Sequence, residues 1–402
     1  MTRKKVLVLG GNFGGLTAAL AVQHELQGDV HVRVVSASDR FVFNPSLIWL
    51  PFGKRAAGDI TFPLAPTFDV HGVDFVHAEA TAHDLRAKNV DTTAGTYDYD
   101  YLVIATGYRN DFDAVEGLGP GGNAHTITTL ADAEQAGRGW RRFLDAPGDI
   151  VVGAVEGAGC FGAAYEYLFN VSHQLRKAGL KKQVKLDVRD ARTRVGPLRH
   201  RRAAPWRATA GHVHAQGTDR LGGRHRHRPR RRGPDRARRW DRHGLRLRHD
   251  HPAVPRPGGD RPGHRDRRCE ALRQGRDTYQ SEVYDDVYAV GIAAAVEVPW
   301  QTAHAFGIPK TGLPTEQQAH VAAKNIVAQI KGEPPQAHKT FGDIPAVCVM
   351  DAGNNGVLIL ADKMLPPRKH GVLIPGPQSH LMKLAFEKYF LWKASHGYVN
   401  LP

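Results

Sequence analysis

Lys5-Val-Leu-Val-Leu9-Gly10-Gly11-Asn12-Phe13-Gly14-Gly15-Leu16-Thr-Ala-Ala-Leu-Ala-Val-Gln23 reads as a short apolar strand, a glycine turn and the start of a helix at Leu16. That order places the N-terminus of a helix beneath a glycine-lined turn, where backbone N–H groups can meet a dinucleotide pyrophosphate. Asn12 departs from the pattern, because the second glycine position normally lets the phosphate approach without a side chain. Asn tolerates left-handed backbone angles and donates hydrogen bonds, which keeps the turn plausible. The next apolar run, His31-Val-Arg-Val-Val35, ends in Ser36, where an acidic residue usually holds a ribose hydroxyl. Nothing resembling a leader precedes the first strand, so no signal peptide is expected.

Two later runs belong with this opening. Tyr99-Asp-Tyr-Leu-Val-Ile-Ala105-Thr106-Gly107 is a strand ending in a tight turn, and Asp286-Val-Tyr-Ala-Val-Gly291 reads as a strand returning to the bound cofactor. A second fingerprint lies between them. In Val151-Val-Gly-Ala-Val-Glu-Gly157-Ala-Gly159-Cys160-Phe-Gly162-Ala-Ala-Tyr-Glu166 the glycines keep G-x-G-x-x-G spacing, with a thiol inside the turn. A helix N-terminus favours thiolate there. Cys348 sits in another ordered-looking run, Ile344-Pro-Ala-Val-Cys348-Val-Met-Asp-Ala-Gly353. Both thiols are expected at strand ends. They are either a redox pair joined by the fold or two buried structural cysteines. Three cysteines without C-x-x-C or zinc-type spacing suit a cytosolic chain, and no metal site is expected.

The ordered set of motifs resembles sulfide:quinone oxidoreductase, a flavoprotein with two dinucleotide-binding domains. The stretches that carry the resemblance are Gly10 to Gly15, Phe43-Asn-Pro45-Ser-Leu-Ile-Trp49, Ala105 to Gly107 and Gly159 to Glu166. Pro309-Lys310-Thr311-Gly312, Pro366-Pro-Arg-Lys369 and Ala385-Phe-Glu-Lys-Tyr-Phe390 complete them. The resemblance spans residues 4–188 and 277–402. It implies that Cys160 and Cys348 take electrons from sulfide and pass them to FAD, which reduces a membrane quinone, with Glu166 as the acidic residue near the first thiol. It implies FAD contacts at Gly10, Gly11, Asn12, Phe13, Gly14, Gly15, Ser36, Pro45, Ala80, Ala105, Thr106, Gly107, Gly291, Lys310, Thr311 and Gly312. Thr126 to Leu130 contains no cysteine that could tether the flavin, so the FAD is expected to be noncovalent. Gly291-Ile292 stands where NADH-linked relatives carry Gly-Asp, which favours the quinone-reducing branch. A type II NADH:quinone oxidoreductase, with NADH at Gly157 to Gly162, is the competing reading.

The formal charge of +15 would ordinarily suggest nucleic acid or an acidic surface as partner. The excess is local. Residues 189–276 hold 27 Arg, no Lys and 8 acidic residues, and lack Ile, Phe, Tyr, Met, Asn and Ser entirely. Such a tract cannot supply a strand-rich core and would remain disordered. Out-of-frame translation of a GC-rich gene accounts for it better than a selected arm, which usually mixes Lys with Arg. Synonymous codons can be chosen for Arg189 to Arg201 and for Leu245 to Pro257 that encode strand-like stretches when read one base later. An inactive frame-shifted product and an arginine-rich nucleic-acid binder are the non-enzyme alternatives. Nine histidines and Cys269 fall in the tract with no regular ligand spacing, and no role is assigned to them.

The expected architecture is α/β: two Rossmann-like domains followed by an amphipathic helical region. An FAD domain is split between 1–110 and 277–330, a second dinucleotide-like domain covers 111–276, and a quinone- and membrane-facing region covers 331–402. A helix is expected over Glu316 to Ile330. Over Leu381 to Lys393 the helical wheel gathers Leu381, Met382, Ala385, Phe386, Tyr389, Phe390 and Trp392 on one half. Lys383 and Glu387 lie opposite, with Lys388 and Lys393 flanking. This half is expected in the membrane interface, with Phe386, Tyr389 and Phe390 on the quinone side. A core-packing helix is the alternative. The whole reads as a peripheral protein on the cytoplasmic face of a membrane, possessing sulfide and quinone as substrates, no nucleic-acid partner and scope for a homo-oligomer.

Overall fold

The computed structural model describes residues 3–112, 117–119, 124–155, 160–190, 277–294, 312–365 and 367–401. The arginine-rich tract from 191 to 276 therefore lies outside the described residues. In chain order the elements begin β1 (Lys4–Leu9), α1 (Phe13–Leu26), β2 (Val30–Ser36), β3 (Arg40–Val42), β4 (Thr61–Pro63), α2 (Leu64–Val70) and β5 (Asp74–His77). Next come β6 (Ala80–Asp84), β7 (Asn89–Thr92), β8 (Gly95–Asp98), β9 (Tyr101–Ile104), α3 (Leu130–Asp145), β10 (Ile150–Ala154), α4 (Phe161–Lys177) and β11 (Leu186–Asp190). The chain ends with β12 (Val287–Ala289), α5 (Leu313–Ile330), β13 (Ala346–Asp351), β14 (Gly356–Ala361), β15 (Gly371–Pro375) and α6 (Pro377–Ser395). A 3-10 helix, Asn44–Phe52, sits between β3 and β4.

The main sheet runs β12-β9-β1-β2-β5, and every neighbour is parallel. The central strand β1 is buried on both faces from Val6 to Leu9, which is why that run needs no alternation of polar residues. The strand order reverses between β1 and β9. That is the switch point at which open α/β sheets bind ligands beyond their strand ends. β6, β7 and β8 form a separate antiparallel sheet inserted before β9. The fifth strand of the main sheet comes from residues 287–289, far along the chain.

β10 and β11 pair in parallel, with α4 packed against β10. Within the described residues this is the visible part of the second βαβ unit. Both expected helices begin three residues early: α1 starts at Phe13, and α5 at Leu313. The C-terminal region is not simply helical. β13, β14 and β15 make an antiparallel sheet against which α6 packs, an element the sequence reading did not foresee.

α6 reverses the usual arrangement of a surface helix. Its buried residues include Lys383, Glu387 and Lys393, while Leu381 (63%), Met382 (45%), Phe386 (41%) and Trp392 (47%) face outward. A core-packing helix would do the opposite. Phe390 is the exception on the apolar half. It turns inward, with its ring 4.8 Å from Phe13 and 5.3 Å from Phe43. No helix among the described residues is long and apolar enough to cross a membrane.

Candidate active site

At the switch point the glycines are imposed by space. Gly10 has φ +100°, and a Cβ there would lie 2.4 Å from the Ala105 carbonyl oxygen. A Cβ on Gly15 would meet the Gly10 carbonyl oxygen at 1.8 Å, one on Gly11 would meet Leu64 Cδ1 at 2.4 Å, and one on Gly14 would meet Val290 Cγ2 at 2.9 Å. The turn is thus pressed against β9, β12 and α2 at once. Asn12 caps α1 with an extended backbone, φ −89° and ψ −161°, so the left-handed tolerance anticipated for it is not used. Its Nδ2 donates to Asn44 Oδ1 at 3.4 Å, and its buried Oδ1 has no partner. Phe13 is buried beneath the turn.

The remaining expected cofactor residues gather unevenly. Ser36 ends β2, close enough to meet a Cβ on Gly11 through its Oγ at 3.3 Å. Pro45 lies in the first turn of the 3-10 helix, beside Asn44, and Ala80 opens β6. The Ala105 N–H donates to Leu9 O at 2.8 Å, and the chain then leaves through exposed Thr106 and half-buried Gly107, the latter at φ +71°. The Gly291 N–H donates to Gln318 Oε1 at 2.6 Å, and Gln318 Nε2 is buried without a partner. Gly312 caps α5 at φ +55°. Lys310 and Thr311 lie outside the described residues, as do Gly157 and Gly159. A glycine turn at a switch point, with the orphaned polar atoms of Asn12 and Gln318 around it, fits a bound FAD.

The thiols come from different elements. Cys160 is the N-cap of α4 and is half-buried, so it meets the positive end of that helix. Cys348 is the third residue of β13 and opposes Ile359 of β14, so neither thiol sits at the strand end expected for it. Both are free. Although the Cys348 side chain opens to solvent along one side, protein atoms crowd it, and burial pushes its thiol up to about 12. The charges of Cys160 and Glu166 act in the same direction, which places both within electrostatic reach of Cys348.

Glu166 lies on α4 and is buried, and that burial raises its carboxyl above the usual range. Lys383 of α6 opposes this by an ion pair, and the Asp351 N–H donates to Glu166 Oε1 at 2.8 Å. Asp351 is a hub with no exposed side-chain surface. Its Oδ2 accepts from Trp49 Nε1 at 2.9 Å and the Gly353 N–H at 3.2 Å, while His380 Nδ1 lies 2.6 Å from Oδ1. Lys383 Nζ and the Arg55 guanidinium lie 5.1 and 4.9 Å from the Trp49 ring centroid. Glu387, fully buried, accepts from Ser46 Oγ at 2.5 Å and Arg55 Nε at 2.9 Å. A separate buried pair, Glu316 and Lys393 at 3.0 Å, ties α5 to α6.

Sequence reasoning did not assign Trp49, Asp351, His380, Lys383 or Glu387 to the site. The spacing of His380, Lys383 and Glu387 on one helical face was a usable signal, but it reads first as a solvated face. Phe386 and Tyr389 lie on the outward and lateral sides of α6, whereas Phe390 is 2% exposed.

Residues 4–186 match the pyridine nucleotide-disulphide oxidoreductase family. Over 98% of its length the chain is 29% identical to the sulfide-quinone reductase of Aquifex aeolicus, covering 92% of that protein. The chain is similar to sulfide:quinone oxidoreductase over nearly its whole length. The solved structure of the sulfide:quinone oxidoreductase of Aquifex aeolicus superposes with a TM-score of 0.78 at 26% identity, over 98% of this chain and 92% of that one. By contrast, a type II NADH:quinone oxidoreductase of Staphylococcus epidermidis is 33% identical over 117 residues, only 29% of either chain. The likeness to sulfide:quinone oxidoreductase supports an FAD-dependent oxidoreductase, and the core is Rossmann-like.

Proposed function

We propose that the protein oxidises sulfide and reduces a membrane quinone, using Cys160, Cys348 and Glu166 with noncovalently bound FAD. The observation that carries this reading is the joining of the Cys348 strand to the Cys160 helix through Asp351 and Glu166. Hydrosulfide opens a sulfur bridge between the two cysteines. A thiol of lower pKa leaves more readily. Cys348, with its thiol pushed up to about 12, is the poorer leaving group, so hydrosulfide attacks its sulfur and Cys160 departs as thiolate at the α4 N-terminus. Cys348 then carries a persulfide. Closing the bridge again, one sulfur longer, releases two electrons and one proton. Glu166 takes the proton, its affinity raised by burial. Gly10 to Gly15, Ser36, Ala105 to Gly107 and Gly291 would hold FAD, which when bound would supply the two-electron acceptor between this step and the quinone.

The outward apolar face of α6 supports peripheral attachment to a membrane surface, with the quinone reaching the flavin past Phe386, Tyr389 and Phe390. Such attachment is compatible with the cytoplasmic side and with a homo-oligomer. Rapid mixing of the flavin-loaded protein tests the donor: sulfide bleaches the flavin and NADH leaves it oxidised. Prompt bleaching by NADH alone would replace this reading with the NADH:quinone one.

A further inference from the structure

Around Asp351 the described residues bring together three buried carboxylates, Glu166, Asp351 and Glu387, and three cations, Lys54, Arg55 and Lys383. To this balanced set the first turn of α6 adds one imidazole, His380, whose Nδ1 lies 2.6 Å from Asp351 Oδ1. Imidazole is the side chain whose charge ordinarily changes near neutrality. Asp351 cannot itself carry a proton onward, because its other oxygen is occupied by two donors, Trp49 Nε1 and the Gly353 N–H. Its charge nevertheless reaches Glu166, whose Oε1 accepts from the Asp351 N–H at 2.8 Å.

We infer that His380 is a positioning residue, which through Asp351 sets the proton affinity of Glu166 according to its own charge. When His380 is protonated it cancels the Asp351 carboxylate, and Glu166 gives up its proton more readily. When His380 is neutral the bare carboxylate acts on Glu166, and Glu166 binds its proton more firmly. The charge of the Asp351 carboxylate raises Glu166, while the hydrogen bond from the Asp351 N–H lowers it, so only the charge responds to His380. The other groups facing the cluster are accounted for. Lys54 and Arg55 follow the 3-10 helix, and Lys383 and Glu387 lie on α6. On α4, His173 is held below its ordinary value by burial and by Lys54 and Arg176, and Lys177 acts on both Lys54 and His173. Lys388, 67% exposed, touches Glu387 from the solvent side.

The inference rests on Glu166 being the proton acceptor, and its test does not require sulfide. Ionised Glu166 raises the Cys348 thiol, so alkylation of Cys348 by iodoacetamide, plotted against pH, shows a shoulder where Glu166 titrates. In the full-length flavin-loaded protein, His380→Ala and His380→Gln move that shoulder to higher pH, on the order of one unit. His380→Lys moves it lower. His380→Gln keeps a donor for Asp351 without charge, so a Gln variant that matches wild type would reduce His380 to a structural hydrogen bond and overturn the inference. Should His380→Ala fail to fold, the Gln and Lys variants carry the comparison. Sulfide bleaching measured in parallel separates the two readings. A shifted shoulder without bleaching removes the sulfide reading alone, and an unmoved shoulder with normal bleaching removes the role of His380 alone.

Discussion

The Asp351 N–H donates to Glu166 Oε1 at 2.8 Å, and this bond joins the strand of Cys348 to the helix of Cys160. Neither thiol could be placed against the other by chain position, since they lie nearly two hundred residues apart in sequence. The buried carboxylate between their elements does that work, and Lys383 makes its burial tolerable.

Cys160→Ser and Cys348→Ser each abolish sulfide-dependent bleaching while flavin content stays at the wild-type level. Both residues lie outside the Gly10 to Gly15 turn, so cofactor retention is expected in either variant. Absorbance of the purified proteins gives flavin content, and stopped-flow mixing with sulfide gives the rate. Loss of flavin from both variants would contradict the assignment.

Glu166→Gln slows the sulfide half-reaction by roughly a hundredfold or more. Burial raises the carboxyl, so the ionised base appears only at a pH above that of an ordinary glutamate. The wild-type rate therefore rises with pH through this raised value, and the Gln variant loses that acid limb. A pH profile of the bleaching rate decides it.

Lys383→Met leaves Glu166 buried without its cation and lowers stability by about 3 kcal/mol at neutral pH. Adding Glu166→Gln recovers part of that loss, because no uncompensated charge then remains. Urea unfolding of the two single variants and the double variant reads the coupling. Additive losses would mean that the pair contributes nothing.

Gly15→Ala places a methyl group against the Gly10 carbonyl and costs about 3 kcal/mol, with loss of flavin. Gly58→Ala meets no atom within 4 Å and changes stability by less than about 0.5 kcal/mol. Thermal unfolding and flavin content distinguish the two sites.

Phe386→Glu combined with Trp392→Glu weakens binding to anionic liposomes by roughly thirtyfold or more, since each ring contributes on the order of 1 kcal/mol when buried in the interface. Co-sedimentation measures it. Unchanged binding would leave the outward face of α6 without a membrane role.

The strand–turn–helix of residues 5–23 was legible because its residues interact locally: apolar runs make buried parallel strands, and glycines make a turn no other residue can occupy. The return of residues 287–289 to the first domain was legible too, from an apolar run ending in glycine. Less could be read from α6. Its amphipathic pattern was plain in the sequence, but periodicity gives two faces without saying which meets the protein. Only the antiparallel sheet of β13 to β15, with the buried carboxylates it brings, decided that Lys383 and Glu387 point inward and Phe386 and Trp392 outward. Asp351, His380 and Trp49 carry no mark of their role in sequence. Their function exists only as distances between distant segments, and such distances are set by packing.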